Sequence, residues 1–306
     1  MYIGVDIGGM SIKAGIVSED GKIITKCAVP TPCNDDDAFS RAMIDCVKKA
    51  MAQAKITAGD VKAIGIGSPS VVDREKGLLI EAENIGFTTI YARDVLQKEL
   101  GNIPVFVDND ANCAALGEYY SSTKRSDNFL FITLGTGIGG GVIINKKLYV
   151  GTNGAAGEIG HVVTHAGGRQ CNCGRRGCWE TYGSVTGLIN TTIEHKDEIK
   201  TLSKGERISG RTVFTLAKNG DKDAERVRDI WIEDVAVGVV DMINIFQPDE
   251  IVIGGAISAE GETLIAPIRE YARKYAFGAS TIGIPEISAS TIGGDAGIIG
   301  AAFLGK

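Results

Sequence analysis

The sequence lacks any apolar run approaching the ~18 residues of a membrane span, because Asp, Lys or Gly interrupts each one. No basic flank precedes its first apolar stretch. Tyr2-Ile3-Gly4-Val5-Asp6 carries a charge at the sixth residue, which is not the pattern of a secretory signal. A basic run is also missing: 32 Lys and Arg stand against 38 Asp and Glu, a net charge of -6. That removes the usual electrostatic footprint of nucleic-acid binding, so neither nucleic acid nor a membrane is expected as a partner. Seven cysteines (27, 33, 46, 113, 171, 173 and 178) form an odd set with three of them crowded together. This favours reduced thiols and a metal over a disulfide framework. The expectation is a cytoplasmic protein.

What is abundant is glycine, with 41 residues against a usual share of about 7%. The glycines cluster at Gly8-Gly9, Gly65 and Gly67, Gly135 to Gly141, Gly254-Gly255 and Gly293-Gly294, with no period of three. Such clusters mark tight turns or close approach to a ligand. The 44% of hydrophobic residues is ordinary for a globular chain, and 306 residues suffice for two modest domains, each with its own core.

Alternation predicts a strand over residues 2–6, a turn at Gly8-Gly9, a returning strand over 13–18 and a third over 23–28. Helical spacing follows over 38–54, then a strand over 63–67, a strand over 104–107 and a helix over 111–120. The pattern restarts with a strand over 128–134, a glycine turn over 135–141 and a returning strand over 142–144. Strand, glycine turn, strand thus occurs twice, each time heading a βα succession, as in two related halves hinged about a cleft. Residues 145–185 read as an irregular, metal-stapled insertion. A long helix is expected over 221–246, a strand over 250–253 and a helix over 262–275. Asp295 is expected to cap a last helix over 296–304. The alternation implies an α/β class with ligands at the carboxyl ends of the strands.

Four constellations carry chemistry. In Asp6-Ile7-Gly8-Gly9-Met10-Ser11-Ile12-Lys13, a strand-end carboxylate and two glycines suit an anion and a Mg²⁺; the plainer reading is a hairpin turn. Leu134-Gly135-Thr136-Gly137-Ile138-Gly139-Gly140-Gly141 repeats the type. It is not a P-loop, having no Lys-Ser/Thr pair, and a second strand follows where a dinucleotide fingerprint would place a helix. Two such hairpins point to a nucleotide polyphosphate. His161, Cys171, Cys173 and Cys178 have the composition of a closed, structural zinc site. Val107-Asp108-Asn109-Asp110-Ala111-Asn112 places carboxylates at a strand end, where one can take a proton from an attacking hydroxyl while another side chain caps the helix. Glu158 and Glu180 flank the metal residues as candidates for gripping hydroxyls. Gly254-Gly255-Ala256 follows a strand and can admit a flat adenine or ribose.

These residues resemble the ROK family (repressors, open reading frames and sugar kinases), and within it the bacterial ATP-dependent glucokinases. The resemblance runs end to end. It rests on Asp6-Ile7-Gly8-Gly9, Gly65-Ile66-Gly67-Ser68-Pro69, Asn109-Asp110-Ala111-Asn112 with Ala114-Ala115-Leu116-Gly117-Glu118, and the loop from Leu134 to Gly141. Gly157-Glu158-Ile159-Gly160-His161, Cys171-x-Cys-Gly-x-x-Gly-Cys178-x-Glu180 and Gly294-Asp295-Ala296-Gly297 complete it.

The family implies an actin-like (sugar kinase/heat-shock ATPase) α/β fold of two lobes with duplicated βα halves and a zinc-stapled loop. The small lobe would be residues 1–118, completed by a helix at 295–306; the large lobe would be 119–294. The resemblance implies phosphorylation of a hexose at its primary hydroxyl, glucose foremost, with N-acetylmannosamine, fructose, mannose or allose as alternative substrates. A non-catalytic sugar sensor is the remote alternative; with the first strand expected to begin at Tyr2 and no basic recognition helix in the sequence, a DNA-reading helix-turn-helix is not expected.

Asp110 would be the catalytic base. Asn84, Asn109, Glu158, His161, Glu180, Ser68 and Ser70 would contact the sugar. ATP with Mg²⁺ would lie against Asp6, Gly8, Gly9, Met10, Ser11, Lys13, Thr136, Gly137, Gly254, Gly255 and Ala256. Zn²⁺ would be structural, and a homodimer is expected. Two positions depart from the family pattern: Met10 stands where Thr is usual, and Ser70 where Gly is frequent.

Overall fold

The structure, a computed structural model, describes residues 1–306 apart from 83, 84, 204 and 206. It divides into two compact units. The first is Met1–Phe131 with Gly141–Gly157 and Ile292–Lys306; the second is Ile132–Gly140 with Glu158–Thr291.

In the first unit β1 (Tyr2–Ile7) turns at Gly8-Gly9 into β2 (Ser11–Val17), and β3 (Ile23–Pro30) follows antiparallel to it. Helix α1 (Asp36–Ala54) starts two residues before its expected place, because the Asp35 side chain accepts the Ala38 N–H and caps it. Its buried stripe of Phe39, Met43, Cys46, Val47 and Ala50 repeats at helical spacing and joins the core built on Ile3, Val5 and Ile7. The chain continues through β4 (Ala63–Ser68), β5 (Val71–Asp73), β6 (Leu78–Ala82), β7 (Phe87–Ile90), α2 (Ala92–Leu100), β8 (Val105–Asn109) and α3 (Asp110–Ser121). The main sheet runs β3-β2-β1-β4-β8, mixed, with β1, β4 and β8 parallel. Strands β5, β6 and β7 form a small antiparallel sheet. The carboxyl ends of β1 and β8 deliver Asp6 and Asn109.

Next come β9 (Phe129–Leu134), β10 (Ile138–Ile144) and β11 (Lys147–Leu148). Here the structure corrects the expected glycine turn: only Gly135 to Gly137 turn, and Gly139 to Gly141 lie inside β10. Gly141 is a strand residue because α3 packs directly on it; a Cβ there would run into Ala115. The irregular stretch expected over 145–185 holds only β11, a single turn at Ile159–His161 and the four-residue α4 (Glu180–Gly183).

Then follow α5 (Val185–Glu194), α6 (Thr212–Lys218), α7 (Lys222–Phe246), β12 (Glu250–Gly254), α8 (Glu262–Tyr275), α9 (Ala279–Ile282) and β13 (Glu286–Ala289). The second sheet runs β11-β10-β9-β12-β13, with β12 and β13 parallel. In the second unit α7 supplies the apolar spine, burying Val227, Trp231, Val235 and Val239 completely.

The chain ends in α10 (Ala296–Ala302), a buried helix of the first unit. It explains much of the glycine. Gly4 and Gly65 are partners across β1 and β4, and a Cβ on either would strike the α10 carbonyls of Ile298 or Ala301. Gly300 of α10 and Gly117 of α3 meet backbone in the same way. So α10 lies main chain to main chain, and these glycines serve packing rather than a ligand. Asp295 does stand at the start of α10 but makes no capping bond; its carboxylate takes Lys26 Nζ at 2.9 Å instead. Among the described residues no helix is long and apolar enough to cross a membrane.

Candidate active site

Strand β8 ends and α3 begins at Asn109, whose side-chain oxygen accepts the N–H of Ala111 at 2.8 Å and of Asn112 at 3.4 Å. Asn109 is therefore the helix cap, with Asp110 Oδ1 also accepting the Ala111 N–H at 2.8 Å, while Asp108 is engaged elsewhere. Asp108 is 3% exposed and accepts four hydrogen bonds. Arg74 Nε reaches it at 2.8 Å and a second guanidinium nitrogen closes a bidentate pair, while Asn112 Nδ2 and the Asn109 N–H approach at 2.9 and 2.7 Å. Arg74 also donates to the Gly154 carbonyl at 3.1 Å. The half-buried Asp110, first residue of α3, thus sits on a turn pinned from behind. Sequence reasoning missed Arg74: it lies 34 residues from Asp108, in a segment with no motif.

Ser68 ends β4 in register with Asn109 and is fully buried, accepting the Ser70 hydroxyl at 2.9 Å. Ser70 is half-buried. Asn84 lies outside the described residues.

In the same unit Asp6 and Lys13 face each other across the β1–β2 hairpin and pair at 3.0 Å. The Gly8 N–H donates to the Ser11 carbonyl, closing the turn at 3.0 Å, and the Thr31 hydroxyl donates to the Gly8 carbonyl at 2.6 Å. Gly9 and Met10 are at its tip, with Met10 91% exposed. A thioether there neither donates a hydrogen bond nor packs, so any donor hydroxyl on this turn comes from Ser11. Gly297 of α10 lies against Asp6, and a Cβ there would come within 2.8 Å of its carboxylate.

In the second unit, His161, Cys171, Cys173 and Cys178 converge. Their ligand atoms all lie within 4.8 Å of one another. His161 Nδ1 is 3.6 Å from Cys171 Sγ, and Cys173 Sγ is 3.6 Å from Cys178 Sγ. A tetrahedron with zinc–sulfur bonds of about 2.3 Å has edges of roughly 3.6–3.8 Å, which these two pairs match, and one imidazole with three thiols is a donor set that suits zinc. Nδ1 faces the thiols, leaving Nε2 for another partner. Burial pushes the Cys178 thiol up to about 12 and also raises Cys171, whereas the Arg175 backbone N–H holds Cys173 below the usual thiol range. A bound cation reverses the first two by stabilising thiolates.

The cluster is anchored on α7 by Trp179, fully buried, whose Nε1 donates to the Asp234 carbonyl at 2.9 Å. Gly238 makes room for that indole; a Cβ there would strike it. Tyr182 stacks on His165 with ring centroids 3.8 Å apart, and the Arg169 guanidinium lies over the Tyr182 ring at 4.6 Å.

Glu180 links this segment to the second glycine turn. Its Oε2 accepts the Ile138 N–H at 3.1 Å and lies where a Cβ on Gly137 would be; its Oε1 is 3.9 Å from Cys171 Sγ. Glu158 is exposed, and its carbonyl accepts the His161 N–H at 3.1 Å. Thr136 is exposed at the tip of the turn. Gly254 ends β12, Gly255 takes φ 90 with no room for a Cβ beside the Leu134 carbonyl, and Ala256 is exposed.

A mixed-sheet α/β chain with paired strand–glycine–strand turns, a carboxylate heading α3 and a Cys₃His cluster has the fold of ROK sugar kinases. The chain belongs to the ROK family, whose model matches residues 2–306. It is 37% identical over 314 aligned positions to a glucokinase from Halalkalibacterium halodurans, covering all of this chain and 94% of the relative. Among solved structures it resembles a ROK family glucokinase from Streptomyces griseus in complex with glucose and AMPPNP (35% identity, TM-score 0.81, 99% of this chain and 98% of that one). It also resembles the ROK hexokinase of Thermus thermophilus (29% identity, TM-score 0.83, 98% and 96%).

Proposed function

We propose that this protein transfers the γ-phosphoryl group of MgATP to the primary hydroxyl of a hexose, with glucose as the first substrate. What carries the reading is the end-to-end likeness to glucokinases, 37% identical in one case, combined with a pinned Asn109-Asp110 turn at the carboxyl end of β8. Phosphoryl transfer asks little covalent chemistry of a protein; positioning and charge stabilisation do most of the work. In this reading Asp110 accepts the proton of the primary hydroxyl as its oxygen attacks the γ-phosphorus, and ADP leaves. Asn109, Glu158, Glu180 and His161 Nε2 hold the remaining hydroxyls, and Ser70 borders the sugar.

The nucleotide is assigned to the two glycine turns. Asp6, already paired with Lys13, offers Mg²⁺ a carboxylate oxygen directly or through water. Gly8, Gly9, Ser11, Thr136 and Gly137 approach the phosphates, and Gly254, Gly255 and Ala256 border the nucleoside. Zinc would be held by His161 Nδ1 and the three thiolates, where it fixes the loop that presents His161, Glu158 and Glu180. The test is ADP release from MgATP across glucose, mannose, fructose, N-acetylmannosamine, N-acetylglucosamine and allose, with metal-loaded protein. Turnover highest with glucose is expected. Turnover highest with another sugar would keep the chemistry and replace the substrate, and turnover with none would remove the kinase reading.

A further inference from the structure

The turn Gly135 to Gly137 is held from outside its own hairpin, and the bonds that hold it fix which way its peptide planes face. The Gly135 carbonyl accepts the Val185 N–H at 2.9 Å, and the Thr136 carbonyl accepts the Thr186 hydroxyl at 2.6 Å. Both donors come from the first turn of α5, whose cap is Ser184, its side chain accepting the Gly187 N–H at 3.0 Å.

In a trans peptide the C=O and the following N–H lie in one plane and point in opposite directions. Drawing the Gly135 carbonyl toward α5 therefore turns the Thr136 N–H away from it, and drawing the Thr136 carbonyl turns the Gly137 N–H away likewise. Glu180 takes the third N–H, that of Ile138. Successive backbone N–H groups facing one way make an anion-binding concavity.

From this geometry we infer that Val185 and Thr186 are positioning residues for the phosphoryl donor: they orient the Thr136 and Gly137 N–H groups toward its phosphates. This rests on the sugar-kinase reading and adds two residues that act through the carbonyls of the turn. Val185 acts through its main chain, so the side chain open to test is that of Thr186, which is exposed on α5. The same feature explains why it went unnoticed in the sequence: Thr186 and Thr136 are 50 residues apart and only a carbonyl is recognised.

The experiment compares Thr186→Val, which keeps the shape and loses the donor, with Thr186→Ser, which keeps the donor. Binding of MgADP and of a non-hydrolysable ATP analogue is measured by calorimetry without sugar, alongside KM for MgATP and for glucose. One neutral hydrogen bond is worth about 0.5–1.5 kcal/mol, so Thr186→Val should weaken nucleotide binding about two- to ten-fold. Its KM for MgATP should rise by the same factor, its KM for glucose should stay unchanged, and Thr186→Ser should restore nucleotide binding.

Unchanged nucleotide affinity in folded Thr186→Val would overturn the inference. So would parallel changes in both KM values, the mark of a merely structural role. Wild-type protein that binds no nucleotide, or phosphorylates no sugar, would instead strike the sugar-kinase reading itself.

Discussion

Replacing Arg74 by methionine keeps most of the side-chain stem and removes the guanidinium. Asp108, 3% exposed in the wild-type structure, is then a carboxylate that has lost both arms of its charged partner. Two neutral donors remain, Asn112 Nδ2 and the Asn109 N–H. The class of the pair decides the magnitude. An exposed ion pair is worth about 0–1 kcal/mol, but stripping one partner from a buried pair costs about 3–5 kcal/mol. Side-chain exposures of 25% for Arg74 and 4% for Asp108 place this one in the second class, and the surviving donors pull it to the lower end. A loss of about 3 kcal/mol is expected, which lowers the melting temperature by roughly 6–12 °C in a unit of this size. The assay is thermal unfolding near neutral pH for Arg74→Met, Asp108→Asn and the double variant. The double variant should be more stable than the sum of the two losses, because no charge is left buried alone. A melting temperature for Arg74→Met within about 2 °C of wild type, or strict additivity in the cycle, would refute the reasoning.

Two further outcomes can be checked. Asp221 caps α7, accepting the N–H of Asp223 and Ala224 at 2.9 Å each, and the Thr201 hydroxyl bonded to it holds its carboxyl below the usual range. A depressed folded-state value means its contribution is complete above the unfolded value and vanishes as pH falls through the folded one. Asp221→Ala should thus cost about 1 kcal/mol at neutral pH and lose that deficit progressively below about pH 4, read from urea midpoints across pH. Cys173→Ser should drop bound zinc from about one per chain to near zero by elemental analysis, with the wild type losing its metal on acidification as protons compete for thiolates and imidazole; full zinc content in the variant would remove Cys173 from the ligand set.

Contiguous chemistry was legible in the sequence, and chemistry assembled across the fold was not. The helix expected at 262–275 has those bounds, and β1, β4 and α7 fall within two residues of expectation, because apolar periodicity is read locally. His161 and the three cysteines could be grouped from spacing alone. Gly139 to Gly141 were misread as a turn because a glycine inside a strand, such as Gly141 yielding to the packed α3, looks the same in sequence as one that bends the chain. Asp295 looked like a cap because nothing local shows that Lys26, 269 residues away, takes its carboxylate. The small sheet of β5, β6 and β7 had no expectation attached, its strands being three to five residues long. Arg74 and Thr186 act on partners at least 34 residues away, Asp108 and Gly154 for the first and the Thr136 carbonyl for the second, and no local pattern reveals such pairs.

The central claim is that Asp110 serves as the base in phosphoryl transfer to a sugar, and Asp110→Asn tests it most directly when turnover and sugar binding are measured on the same metal-loaded protein. Removing a general base typically costs about 10²–10⁴ in rate, so glucose phosphorylation should fall by at least a hundred-fold while calorimetric glucose affinity stays within about three-fold of wild type. Near-normal turnover by Asp110→Asn would contradict the account.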